Sequence, residues 1–357
     1  MPGPKKDVFG VFRDPGSGEE VTVDRYTLAS ASGVEVQVIS YGACVSGVLV
    51  PDKTGRKEHV TLGFDDMKGY TEYRYQGSSV GRRANRIGKG KLVVEGRQYS
   101  LTINNNGNHL HGGTRGWDTY VWESHVDGDS VVFSRLSPDG EEGYPGAVLA
   151  QVRYSLDGEG GLRIDFEAAT TKATPINMTN HCFFNLAGHD AGQKGILEHV
   201  VRANADRYTP VGPDLIPTGE LAPVRGTAYD LRSPTTFGEA LPKAPGGGFD
   251  HNFCLQFKHR GQLELAASFL HPPTGRGLEV YTTEPGIQIY TGNFLPKPGQ
   301  ENQMVGRGGT AYTYQGAFCC EPQNFPDAVN QPNFPNDIYY PGQPYKHSMV
   351  YKFFVQK

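Results

Sequence analysis

No run of about 18 apolar residues occurs in this 357-residue chain, so it has no segment of the length and character of a membrane-spanning helix. Charge of one sign is also missing. The chain carries 34 basic and 38 acidic residues for a net charge of −4, which leaves no sequence-wide basic field for nucleic acid or an anionic membrane. Cysteine is sparse and scattered: Cys44, Cys182, Cys254, Cys319 and Cys320 are odd in number and form no CxxC pair, so reduced thiols are expected. The first residues, Met-Pro-Gly-Pro-Lys-Lys, lack the apolar stretch of a secretory signal. A cytoplasmic location follows as the expectation, and the sequon Asn177-Met178-Thr179 is discounted with it. There is no Walker loop and no GxGxxG after a strand, so no nucleotide or nicotinamide cofactor is expected.

What is present is aromatic and turn-rich. The chain has 19 Tyr and 18 Phe against 2 Trp, with 47 Gly and 25 Pro. Period-two alternation over Val34–Ile39 and Leu162–Phe166 reads as half-buried strands. Further strands are predicted at Ala147–Leu156, Ile196–Ala203, Leu263–Leu270, Leu278–Thr283, Ile287–Tyr290 and Met349–Val355. Asp157-Gly158-Glu159-Gly160-Gly161, between two alternating runs, reads as a hairpin turn. One short helix is expected from a Ser233-Pro234 cap to Leu241. No repeat of fixed period and no linker divides the chain. The expected fold is all-β: one domain over residues 1–357, built as a large antiparallel β-sandwich.

Several segments break the strand rhythm with dense polar residues and glycine. They are Gly81–Ile87, Asn108–Gly113, Asn177–Leu186, Gly248–Phe253, Thr282–Phe294 and Glu321–Asn330. Asn, Asp, Gln and Arg supply paired donors and acceptors for vicinal hydroxyls, and Phe, Tyr and Trp117 offer flat apolar faces for the C–H side of a sugar. Taken singly each cluster is ordinary. Asparagine at a strand end is usually a turn former. A lone His181 before Cys-Phe-Phe reads as a core histidine bonded to a carbonyl, and a glutamate at a strand end as a surface group. Together the clusters describe a polyol-binding β protein.

The phrases GRRANRIGKG, NHLHGG, NMTNHCFFNL, FDHNF, TTEPGIQIYTGNF and EPQNFPDAVNQP resemble those of the galactose mutarotase (aldose 1-epimerase) family, in the family's order and over almost the whole chain. The resemblance implies a supersandwich fold with a sugar in an open cleft and no cofactor or metal. It implies Glu321 as catalytic base, His181 as general acid and His111 as a third polar group at the reacting centre. Asn85, Arg86, Asp250 and Gln288 match ligands of the sugar hydroxyls. Phe183 departs from the pattern, standing where many members have tyrosine, and is expected to be an apolar wall.

The implied reaction interconverts the α and β anomers of a free hexose such as D-galactose or D-glucose. One group removes the proton of the anomeric hydroxyl while another protonates the ring oxygen. On reference values the base must be ionised and the histidine protonated near pH 7, which asks for an acceptor beside His181. The expected partner is a small hexose, with no nucleic acid or membrane, and the chain is expected to be a monomer or weak homodimer. Three rivals exist: a hexose-6-phosphate 1-epimerase, a non-catalytic carbohydrate-binding sandwich, and a glycoside hydrolase, which would need two carboxylates. His109 and His111, two apart, would face one side of a strand and with Glu321 or Asp250 could make a two-histidine metal site. If the basic run is extended, Arg82 and Arg86 share one face and Arg83 the other, with Lys89 and Lys91 just beyond. His251 is expected to support Asp250, while His59, His125, His259, His271 and His347 are expected at the surface. Cys182 and Cys320 are expected to be small buried fillers, and the loop Lys297–Gly309 is a candidate lid.

Overall fold

The computed structural model describes residues 3–259, 261–301 and 303–357, and three antiparallel sheets dominate it. A five-stranded sheet runs in chain order through Lys5–Arg13, Glu20–Ala29, Glu35–Ile39, Cys44–Pro51 and Lys57–His59. The nine-stranded sheet takes its middle from both halves of the chain: Tyr345–Val355 lies between Gly161–Thr170 and Arg276–Thr282. The six-stranded sheet orders Phe183–Phe184, Phe318–Gln323, Gly286–Tyr290, Asp250–Leu255, Ala205–Tyr208 and Ala222–Pro223.

Alternation is the reason these segments are strands. Val148–Leu156 buries every second residue and Gly161–Thr170 does nearly the same, so one face of the sheet enters the core and the other meets water. Their turn is the predicted one. Asp157 accepts from the backbone N–H of Glu159 and Gly161, and Gly160 takes φ +96°, a conformation glycine adopts at no steric cost.

Aromatic rings fasten the sheets into a sandwich. Phe318 of the six-stranded sheet stacks on Phe269 of the nine-stranded sheet at 4.4 Å between centroids, and Phe184 meets Tyr351 at 5.0 Å. Tyr26 of the five-stranded sheet meets Phe133 of the nine-stranded sheet at 5.9 Å. One apolar core joins residues from all three sheets. Each fully buried Phe or Tyr contributes about 1.5–3 kcal/mol by leaving water.

Some sequence expectations are corrected. The helix in the 230s spans Phe237–Ala240, and its cap is Thr236, which forms a capping box with Glu239, rather than Ser233. The first part of Ile196–Ala203 closes a short helix, Gly192–Leu197, and only Val200–Ala203 is strand. His271 and His347 are buried and His59 half-buried, whereas His125 and His259 are exposed as expected. His347 alternates inward from Tyr345–Val355, stacks on Phe166, and bonds Met178 O and Thr282 Oγ1. Trp117 is a core residue against Trp122, not a cleft wall. All five cysteines are free and buried, and burial pushes the Cys182 and Cys320 thiols up.

Candidate active site

Three neighbouring strands of the six-stranded sheet make the floor. Asn252, Gln288 and Glu321 are cross-strand partners in one row, and Asp250, Tyr290 and Cys319 form the next. Directly paired residues of an antiparallel sheet share a face, so this row structure turns Glu321, Gln288 and Asp250 the same way. The alternate residues Phe318 and Cys320 enter the apolar core behind. Asp250 Oδ1 accepts from Gln288 Nε2 at 2.7 Å.

The walls come from loops. His181 follows the two-residue strand Thr179–Asn180, and backbone bonds to Ser78 and Gly77 hold it. Its ring sits between Phe183 at 5.0 Å and Tyr75 at 5.9 Å. Its Nε2 lies 3.5 Å from Glu321 Oε2, and its Nδ1 lies 3.6 Å from Cys319 Sγ. Asn85 and His111 bind each other through the backbone: His111 N donates to Asn85 O, and Asn85 N donates to His111 Nδ1, both at 3.1 Å. Asn85, His111 and Tyr75 all have positive φ, at 60°, 49° and 75°. Such strain in non-glycine residues costs about 1–3 kcal/mol each and persists where the surroundings over-determine it. Arg86 completes the wall, with Nη1 3.9 Å from Asp250 Oδ2 and Nε 3.4 Å from Asn105 Oδ1.

Glu321, His181, His111, Asn85, Arg86, Asp250 and Gln288, scattered over more than 230 residues of sequence, therefore line one cleft of about 380 Å³. Phe183 is an apolar wall of that cleft, as expected. Sequence alone did not single out Arg74, Tyr75, Asn105, Asn106 and Leu295, which also line it, while Met304 comes from the candidate lid segment and Tyr290 and Phe294 form an apolar rim. Tyr290 and Phe294 lie inside one of the family-like phrases, and Asn105 and Asn106 stand just before another, separated from it by Gly107. Arg74-Tyr75 carries no signal, since a bidentate pair to Asp118 and a left-handed tyrosine leave no sequence pattern.

Burial acts against both charges at the centre. It pushes the Glu321 carboxyl well above the usual range, with Asp250 adding to the rise and Arg86 opposing it. It lowers His181 to about 4 and holds His111 well below the usual imidazole range. The walls thus favour neutral Glu321 and neutral His181, a correction to the ionised pair expected from reference values. The two arrangements hold the same number of protons and differ in the place of one, across 3.5 Å.

Two other expectations change here. His109 and His111 do not make a metal pair, because the strand ends at Leu110 and His111 turns back at positive φ. His109 faces inward, bonding Thr102 O and Tyr144 Oη at 2.7 Å each. His111, His181 and Glu321 do bring ligand atoms within 4.8 Å of one another. Yet a neutral His111 whose Nδ1 accepts from Asn85 carries its proton on Nε2, so the nitrogen left for the cleft is a donor and not a metal ligand. The basic run is not extended either. Arg82 bonds the carbonyls of Pro145 and Gly146 and Arg83 pairs with Asp337, both fully buried, while Lys89 and Lys91 are not. Asn85, in the left-handed region, breaks the strand between them and Arg86. His251 supports Asp250 as expected, accepting from its N–H and bonding Tyr229 Oη.

Comparison with known proteins agrees with this architecture. The sequence profile described as aldose 1-epimerase matches residues 24–352. The galactose mutarotase of Homo sapiens is 46% identical over 349 residues, covering 98% of both chains. The aldose 1-epimerase of Escherichia coli K12 is 32% identical, covering 92% of this chain and 95% of its own. Among solved structures, the galactose 1-epimerase of Lactobacillus acidophilus superposes with a TM-score of 0.81 at 27% identity, covering 99% of this chain and all of its own. The aldose epimerase homologue of C. elegans gives 0.85 at 28%, covering 93% and 98%. The fold and cleft define a sheet-rich carbohydrate epimerase. The chain belongs to the aldose 1-epimerase family.

Proposed function

We propose that the cleft interconverts the α and β anomers of a free hexose, D-galactose or D-glucose, with Glu321 as base and His181 as acid. The observation that carries this reading is the buried Glu321 Oε2, without a hydrogen-bond partner among the described residues, 3.5 Å from His181 Nε2 in a cleft lined by amides and charged side chains. The shared proton moves first to His181, leaving Glu321 a carboxylate; Glu321 then takes the proton of the C1 hydroxyl while His181 gives its own to the ring oxygen, and the C1–O5 bond opens to the aldehyde. Rotation about C1–C2 and reclosure deliver the other anomer, with the same two groups in reversed roles. His111 Nε2–H donates to oxygen at the reacting centre. Asn85, Arg86, Asp250 and Gln288 hold the remaining hydroxyls, and Phe183 faces the apolar side of the ring.

A hexose 6-phosphate fits the cleft poorly. Of the basic run only Arg86 reaches it, and Asp250 stands 3.9 Å from that guanidinium. A phosphate would want a guanidinium fork without a competing carboxylate. Polarimetry with freshly dissolved α-D-galactose tests the reading directly. D-galactose or D-glucose should exceed glucose 6-phosphate by at least about tenfold in kcat/KM, or ~1.4 kcal/mol. Equal or better turnover of the phosphate ester at physiological ionic strength would assign the cleft to sugar phosphates.

The reading takes residues 1–357 as one catalytic domain, supported by the core shared among the three sheets. Cytoplasmic residence and galactose metabolism go with it, and five unpaired thiols are compatible with a reducing compartment. Light scattering would test the expected monomer or weak homodimer.

A further inference from the structure

Beneath Glu321 lies a row of amides that the sugar-binding roles do not account for. Gln323 is two residues along the same strand, so its side chain shares the face of Glu321. It is fully buried, and neither Oε1 nor Nε2 has a hydrogen-bond partner among the described residues. Its cross-strand neighbour is Gly286, and beyond that on the next strand lies Cys254, one step from Asn252 in the same face. Asn252 is 1% exposed, and both of its side-chain polar atoms are likewise unpartnered. Gly286 leaves room for the Asn252 amide beside the backbone of Gln323. A Cβ there would stand 2.4 Å from Asn252 Oδ1 and 3.0 Å from Gln323 O, so only glycine leaves this gap open. Gln288 Nε2 is committed to Asp250, which leaves its Oε1, also unpartnered, as an acceptor beside Glu321.

Leaving buried polar atoms unpaired costs about 1–3 kcal/mol apiece, so a native group of this kind calls for a physical reason. We propose that Gln323 is a positioning residue for the reaction, its amide donating to Glu321 when that group is a carboxylate, with Asn252 orienting the amide across Gly286. The inference rests on Glu321 being the base. Neither amide touches the sugar or the reacting atoms, so the role is exercised through Glu321 alone. Other groups facing Glu321 come from other elements: Asp250 and Tyr290 on the adjacent strands, Cys319 on its own, and Arg86, His111 and His181 from the walls. Arg86 is the one cation among them whose charge is permanent. The carboxylate form therefore has few donors, and each has a measurable weight.

The test is the pH profile of kcat/KM, which reports the free enzyme. Because the walls favour the neutral pair, its alkaline limb reports loss of the last shared proton from Glu321. Gln323→Met keeps length and removes the amide. Its alkaline limb should move up by about 0.5–1 pH unit, and plateau kcat/KM should fall by the matching factor of about three to ten. Gln323→Glu, nearly identical in shape, places a second carboxylate there and should move both further in the same direction. Asn252→Leu should give a smaller shift of the same sign. Lowered activity with an unmoved limb in both folded Gln323 variants would overturn the proposal, as would a raised KM at constant kcat. If Gln323→Met does not fold, Gln323→Glu alone decides. Full activity of Glu321→Gln would instead refute the assignment of the base, so the two failures are distinguishable.

Discussion

In the proposed mechanism Glu321 and His181 divide a single proton between them, and single substitutions test that division. Glu321→Gln keeps the size of the side chain and removes the base, so kcat should fall by about two decades or more while KM stays within a few-fold. A coupled anomer assay checks it, and near wild-type turnover would rule Glu321 out. His181→Asn cannot protonate the ring oxygen and should lower kcat comparably. Its pH profile should also lose the acid limb, because the group lowered to about 4 is gone. His111 behaves differently. Its Nδ1 is engaged by Asn85, so it acts as a fixed donor rather than a titrating group. Its tautomer also bears on metals. Dialysis against EDTA should leave turnover unchanged, and loss of activity restored by zinc would show that His111 can release Asn85 and ligate.

At the scale of elements, the strand Phe318–Gln323 is the part most exposed to test. Its inward residue Phe318 stacks on Phe269 and its outward residue Glu321 faces the cleft. Phe318→Ala should cost about 3–5 kcal/mol by denaturant titration, through a cavity the neighbouring rings cannot fill. A loss below about 1 kcal/mol would mean that the two sheets repack freely. Strands like this one were legible in the sequence because alternation is a local signal. So were the hairpin at Asp157–Gly161 and the inward and outward faces of the core strands. What was not legible depends on distant partners. Nothing local says that Arg82 and Arg83 spend their charges on Pro145, Gly146 and Asp337, or that Trp117 packs against Trp122. The two-residue strands around His181 and His111 are too short for periodicity, and the positive φ at His111 overrode the face expected from its spacing. The seven candidate site residues, which line one cleft, were assigned through resemblance to family phrases. Residue chemistry alone reached a polyol-binding surface, because the pairing that assembles it spans strands far apart in the chain.

For the whole molecule, buried histidines set how it responds to acid. His109 and His347 are lowered to about 4 and His199 to about 3, in each case chiefly by burial. In the unfolded chain all three return to ~6.5 and bind protons that the folded state refuses. Their stabilising effect is present above pH ~6.5 and is lost as pH falls from there toward 4. The melting temperature should therefore drop steadily between pH 7 and 5. A melting temperature flat over that interval would contradict the buried neutral state of these rings.

Glu321, the proposed base, stands on a strand flanked on both sides in its sheet and backed by the central core. Such a floor does not follow a substrate through its motion. Every change of shape between one anomer and the other must be made by the sugar, turning about its own C1–C2 bond between two stationary proton carriers. Both groups regain their starting protons when the ring recloses, so a turnover spends nothing and cannot shift the balance between the anomers. Such a catalyst works as a clutch rather than a ratchet: it lets the anomers run to the ratio water alone would reach, and whichever anomer is drained downstream is replenished at once from the other.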